Sequence, residues 1–245
     1  MTEGVYREQA SRVIPGAVVW RTDRTTAGSV LPDGCMDLVW RDGVVLVAGP
    51  DTEPFTVDAS PGPAVGLRFP PGLLPHLLGV PASDLQNLRV PLDDVVGRRA
   101  SPLRCVDPGD AAGAFETFGL ARLSDVGAPD PAVTAAADLL AAGTPVAAVA
   151  ATTGLSPRAL HRLAVRNFGY GPKTLSAILR LQRALDLAAR GLPSADVAAA
   201  CGYVDQAHLI RESRRLTGRP FGELRQDGSD ANRSTPLPSG STTVA

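Results

Sequence analysis

Residues 150–169, AATTGLSPRALHRLAVRNFG, and residues 198–218, AAACGYVDQAHLIRESRRLTG, spell one pattern twice. Each opens on a short alanine-rich run and breaks at a glycine followed by an apolar residue, Gly154-Leu155 and Gly202-Tyr203. Each restarts at a polar helix starter, Ser156 or Asp205, and carries a leucine with an arginine two residues on, Leu160/Arg162 and Leu209/Arg211. Each ends on glycine, Gly169 or Gly218; one extra residue in the second turn stretches the spacing between copies from 48 to 49. A fixed internal repeat limits the region to two copies of one supersecondary unit. Two short helices around a tight glycine turn make that unit a helix-turn-helix.

Local chemistry sets the boundaries. Thr144-Pro145 and Ser156-Pro157 read as an N-cap followed by proline, whose missing N–H costs nothing at the first helical position. In the second copy Ser194 is expected to cap. Gly154 and Gly202 can take the left-handed conformation that ends a helix. Leu160, Leu163, Ala164 and Asn167/Phe168 form an inward stripe in the first unit, and Leu209, Ser213 and Leu216 in the second. The opposite sides are rich in long donors: Arg158, His161, Arg162 and Arg166, then Gln206, His208, Arg211, Arg214 and Arg215, with Ile210 beside them offering only apolar contact. Arginine matches the O6 and N7 of guanine, and glutamine the N6 and N7 of adenine, in a major groove that admits a helix. Between the units, GPKTLSAILRLQRALDLAARG (171–191) predicts one long helix from Pro172 to Gly191, with Lys173 and Thr174 at its anion-attracting start.

Charge divides along the chain. Residues 144–226 hold 12 Lys+Arg against 5 Asp+Glu, a balance of +7; the remainder holds 12 against 20, a balance of −8, which together give the overall −1. A basic module beside an acidic one suits a polyanion-binding domain joined to something else. Cys35, Cys105 and Cys201 are few and scattered, which suggests reduced thiols in a cytoplasmic protein. MTEGVYREQASRVIPG lacks the pattern of a signal peptide, and no apolar run reaches the ~20 residues of a membrane helix.

The stretches GLSPRALHRLAVRNFGYGPKTLSAILRLQRAL and ADVAAACGYVDQAHLIRESRRLTGRPFGEL resemble the AraC/XylS family of bacterial transcription regulators over about residues 145–226. The resemblance implies two helix-turn-helix units entering successive major-groove segments on one face of double-stranded DNA. Matched by position, the base-reading candidates are Arg158, His161 and Arg162, then Gln206, Ala207, His208 and Arg211. The phosphate-binding candidates are Ser156, Arg166, Lys173, Thr174, Arg214 and Arg215. The chain departs from the family where an inward aromatic is usual in each recognition helix: it has Ala164 and Ser213.

The N-terminal half reads differently. CMDLVWRDGVVLVAG pairs two β-rich runs around Asp42-Gly43, a strong hairpin signal. FTVDA and AVGLRF follow as short strands, then GLLPHLLG and ASDLQNL as short helices. The expected fold is α+β in two domains: a small β-sandwich or barrel with short helices, then an all-α double helix-turn-helix domain. LPDGCMDLVW and GLRFPPGLLPHLLGVP resemble the cupin-like sensor half of some AraC-like regulators, which implies effector sensing or dimerisation. Cys35, Asp37, Trp40 and Arg68 are the ligand-pocket candidates, each also readable as structural: Trp40 as core, Arg68 as an ion-pair partner, Asp33 as a turn residue. Only His76 lies in this half, so no metal and no cofactor is expected. The expected boundaries are 1–106 for the β-rich domain, 107–129 for a helical joint, 130–226 for the DNA-binding domain and 227–245 for a disordered tail.

Two rival readings stand beside a transcription regulator. One is a DNA-repair or other cupin-like enzyme fused to a DNA-binding domain, against which Cys35 has no CxxC partner. The other is an interaction module with weakened DNA affinity. Double-stranded DNA is the expected partner and no membrane is. A small effector, RNA polymerase and the choice between monomer and homodimer stay open.

Overall fold

Alternation in CMDLVWRDGVVLVAG produces the centre of a sheet. In the computed structural model, which describes residues 6–23 and 27–226, β4 (Met36–Arg41) and β5 (Val44–Ala48) pair antiparallel with Arg41 opposite Val44. Asp42 and Gly43 form the two-residue turn at φ of 51° and 79°, the positive angles that a type I′ hairpin demands. The other strands are β1 (Tyr6–Ala10), β2 (Val18–Thr22), β3 (Gly28–Val30), β6 (Phe55–Val57), β7 (Ala64–Phe69) and β8 (Arg89–Pro91). Six of them form an antiparallel sheet in the order β1-β2-β7-β4-β5-β8, while β3 and β6 pair separately. The large sheet keeps β1 and β8 as its edges, so among the described residues no barrel closes.

The two sheet faces have opposite chemistry because strand residues alternate. One register row runs Val19, Leu67, Leu38, Val47 and Val90, and this face builds the first core. It is covered by α1 (Leu73–Leu78), α2 (Leu92–Val96), a 3₁₀ segment over Gly97–Leu103 and α3 (Ala111–Val126). The expected joint helix is thus α3, and it is part of this core through Ala111, Ala112, Phe115 and Phe118. The adjacent row on the other face runs Val18, Arg68, Asp37, Ala48 and Arg89.

The second half is all helix: α4 (Pro131–Ala141), α5 (Val146–Thr152), α6 (Pro157–Phe168), α7 (Pro172–Ala189), α8 (Ser194–Ala200), α9 (Gln206–Thr217) and α10 (Phe221–Gln226). Asp130 caps α4 by accepting from the Ala132 N–H at 2.8 Å, with Pro131 next. Two caps differ from expectation. Pro145 and Pro193 occupy the N-cap positions of α5 and α8, so Thr144 lies before its helix and Ser194 is the first helical residue. Their carbonyls still accept the first intrahelical bonds, from the Val149 N–H at 3.0 Å and the Val197 N–H at 2.9 Å, as an N-cap does without a side-chain acceptor. The expected tail lies outside the described residues, and no described helix is long and apolar enough to cross a membrane.

Candidate nucleic-acid interface

The two repeated units fold as matched pairs, α5/α6 and α8/α9, on either side of α7. Gly154 and Gly202 both take positive φ, 68° and 73°, in the turns. Ser156 Oγ accepts from the Ala159 N–H at 3.2 Å and Asp205 Oδ1 from the His208 N–H at 2.6 Å. The second helices, α6 and α9, each run 12 residues and end on a left-handed glycine, Gly169 or Gly218. Leu160, Ala164 and Phe168 in α6, and Leu209, Ser213 and Leu216 in α9, are buried in one core with Leu175, Ile178, Leu179 and Leu181 of α7. Burying both apolar stripes against the same helix fixes the two polar faces relative to one another.

The base-reading candidates lie on those faces. Arg158, His161, Arg162, Gln206, Ala207 and Arg211 are exposed and His208 is half-buried. The His161 ring lies over Gly171, the N-cap of α7: a β-carbon there would stand 3.0 Å from Nε2. His208 folds back on its own turn. Its Nδ1 accepts from the Val204 N–H at 3.4 Å, which leaves Nε2 as the donor of the neutral ring. Its ring meets that of Tyr203 edge-on at 5.2 Å. Ile210, expected outside, packs partly into the core because its position falls at the border of the inward stripe. Val204, which the sequence reading passed over, is 88% exposed just before the N-cap.

Of the phosphate candidates, Arg166, Lys173, Arg214 and Arg215 are exposed and Thr174 is half-buried. Ser156 uses an oxygen lone pair for its cap and keeps its O–H free to donate. Lys173, Thr174, Ser176, Arg180, Glu212 and Arg215 line a groove of about 400 Å³ between α7 and α9. Ser213 repays the lost aromatic in polar form: its hydroxyl donates to the Arg219 carbonyl at 2.8 Å, and Thr217 donates to the Ser213 carbonyl at 2.8 Å. The Arg219 carbonyl, which also accepts from Thr217 at 3.1 Å, ties the end of α9 to the segment that leads into α10.

In the N-terminal half, three of four pocket candidates share a place. Arg68, 5% exposed on the central strand β7, lies 3.5 Å from Asp37 Oδ1, 3.2 Å from Asp33 Oδ2 and 3.4 Å from Glu8 Oε1. Trp20 Nε1 donates to Asp37 Oδ2 at 2.7 Å, and Tyr6 donates to Glu8 at 2.6 Å while stacking on Trp20. Burial pushes Asp37 up despite Arg68 beside it. Burial, reinforced by Asp33, also pushes the Cys35 thiol well up and keeps it from the thiolate that a nucleophile needs. Trp40 does not join them. It points to the opposite face, in the apolar core, with Nε1 donating to the Val106 carbonyl at 2.7 Å. Two residues away in a strand would have kept it on the Asp37 side; three puts it on the other. Glu8, Trp20 and Tyr6 were missed because only strand pairing brings them to Arg68. Among the described residues no three His, Cys, Asp or Glu side chains stand together to hold a metal.

The turn bearing Asp33 and Cys35 also meets the helical half. Gly34 packs against Leu175 and Leu179, and Gln182 donates to the Pro32 carbonyl at 2.7 Å. A second seam lies at the end of α6. Gly169 has φ of 86°, and a β-carbon on it would stand 2.5 Å from the Pro50 ring and 3.3 Å from the Ala82 carbonyl. Phe168 and Val133 press on Gly72 in the same region. Tyr170 is buried there, its hydroxyl pushed well up by burial and next by the Asp33 carboxylate.

Comparison with known proteins adds the following. Residues 149–227 match the helix-turn-helix domain family, and residues 16–91 match a domain family of unknown function. No curated protein matches the chain. A structure of ToxT from Vibrio cholerae aligns with a TM-score of 0.48 and 9% identity, over 89% of this chain and 97% of that one. ToxT from Vibrio cholerae O395, bound to (E)-4-(8-methylnaphthalen-1-yl)but-3-enoic acid, aligns with a TM-score of 0.44 and 10% identity, over 89% and 98%.

Proposed function

We propose that this chain, a DNA-binding transcription regulator whose C-terminal third is an AraC-type helix-turn-helix domain, reads a two-part operator with α6 and α9. One observation carries the reading: two 12-residue helices with arginine-rich exposed faces have their apolar stripes buried against the same 18-residue helix. Arg158, His161 and Arg162 face one major-groove segment, and Gln206, Ala207, His208 and Arg211 the next, about one helical turn or ~34 Å along. Arg166, Lys173, Thr174, Arg214 and Arg215 hold phosphates and set the register, with Ser156 donating at the start of α6.

The N-terminal half takes the sensing role in this reading. Asp37, Asp33 and Cys35 form a half-buried polar cluster around the buried Arg68, and the turn that supplies two of them touches α7. An effector that disturbed the cluster would therefore act on the helix that holds both reading units, which gives it a physical route to DNA affinity.

Selection of bound sequences from a random DNA pool by the full chain tests the reading, followed by a salt titration on the winner. Two motifs about 10 base pairs apart, bound with an affinity that falls steeply as salt rises, are expected. A single motif, or binding without sequence preference, would leave one or both helices without the assigned role.

A further inference from the structure

Arg180 stands midway along α7, in the groove that it shares with Lys173, Thr174 and Arg215. Its Nε and Nη2 donate to Glu212 Oε1 at 3.0 and 2.7 Å, and Nη2 also to Oε2 at 2.9 Å. Glu212 is in the middle of α9 and only 10% of its side chain is exposed. The same guanidinium lies 4.7 Å from the ring centre of Tyr203, in the turn that leads into α9. Tyr203 in turn meets the edge of His208 at 5.2 Å and 88°. One side chain of α7 therefore grips α9 at its middle and at its entrance, and the entrance contact continues to a base-reading candidate.

Only arginine can do this. Its planar fork satisfies a carboxylate bidentately while its face lies on an aromatic ring; a lysine ammonium offers a point charge and no plane. The first unit has nothing comparable. Aligned through the repeat, Leu155, Ala159 and Leu163 stand where the second unit has Tyr203, His208 and Glu212. The first unit is instead steadied by apolar packing and by the N-terminal half at Gly169.

We infer that Arg180 is a positioning residue for the second recognition helix, setting the pose of α9 and of the His208 ring through Glu212 and Tyr203. The inference rests on the two-helix reading above. It separates Arg180 from the phosphate-binding cations that share its groove, because its Nε and Nη2 are engaged by Glu212.

The test uses the full chain with Arg180→Lys and Arg180→Met, and with the exchanged pair Arg180→Glu plus Glu212→Arg. Each is measured against the selected operator and against operators scrambled in one half. The expected result for Arg180→Lys is about a tenfold loss on the intact operator, with base preference flattened in the second half-site and unchanged in the first. The salt slope stays at the wild-type value, since no phosphate contact is lost. The exchanged pair restores part of the second half-site preference, which a purely structural role would not predict. Three results would overturn the inference: second half-site preference kept in both single variants while only the melting temperature falls; a salt slope reduced by about one, the mark of a direct phosphate contact; or equal losses in both half-sites. If Arg180→Met fails to fold, Arg180→Lys and the exchanged pair still decide. If the wild-type chain itself shows no preference in either half-site, the two-helix reading falls first.

Discussion

The two helix-turn-helix units share a blueprint and differ in what steadies them. In the first, α6 ends at the N-terminal half: Gly169 lies against Pro50 and Ala82, and Phe168 against Gly72. In the second, α9 ends at α10 through Ser213, Thr217 and Arg219, and is gripped from α7 by Arg180. The same helix length and the same glycine stop therefore serve two environments. The first of these helices is held against the N-terminal half; the second is held by side chains of its own domain. The likeness of the repeat gives the two units their common geometry, and its departures give each unit its neighbours.

That contrast can be broken most sharply at the two terminal glycines. Both have positive φ, but a β-carbon on Gly218 meets nothing within 4 Å. Gly169→Ala should cost about 3 kcal/mol in thermal unfolding, from left-handed backbone strain plus overpacking against Pro50. Gly218→Ala should cost about 1 kcal/mol, from the backbone alone. Equal losses would mean that the seam contributes nothing at Gly169. Arg162→Ala and Arg211→Ala come next: each should weaken operator binding by about 1–3 kcal/mol and relax preference at one position of its own half-site. Selection with each variant shows whether the relaxed positions fall in different halves, as the two-unit reading requires. Ser213→Ala should cost about 1 kcal/mol of stability, because the Arg219 carbonyl keeps its bond from Thr217 at 3.1 Å. Chemical denaturation measures it, and a loss of several kcal/mol would place more weight on that hydroxyl than one hydrogen bond explains. Arg214→Ala should have the mildest signature, a similar weakening on every sequence and a salt slope lower by about one.

Much of the second half was legible because its signals are local. Gly154, Gly202, Ser156-Pro157 and Asp205 each act within a few residues of themselves, and they placed the helices and turns. Where a cap was misread, at Thr144 and Ser194, a neighbouring proline took the position. The Asp42-Gly43 hairpin was legible for the same reason. The polar cluster of the first half was only half legible. Cys35, Asp37 and Arg68 were singled out as residues, but Glu8, Tyr6 and Trp20 reach them through pairings of β1 with β2 and of β2 with β7, which no local pattern encodes. Of the two readings given for Trp40, the core one holds, since strand parity turns it away from Asp37. The Arg180 grip was hidden for a similar reason, since Arg180 and Glu212 lie 32 residues apart and meet only once α7 and α9 are packed.

The seam at Gly169 also bears on how chains of this design can be recombined. A hybrid joining residues 130–226 to a foreign N-terminal half would carry Phe168 and Val133 to a new surface. That surface would need a hollow where Gly72 now gives way, and a ring no bulkier than Pro50 beside the helix end. Linker length alone would not make such a hybrid work. The exchangeable unit is bounded by a handful of small residues on both sides of the cut, and a successful graft would have to inherit them as a set.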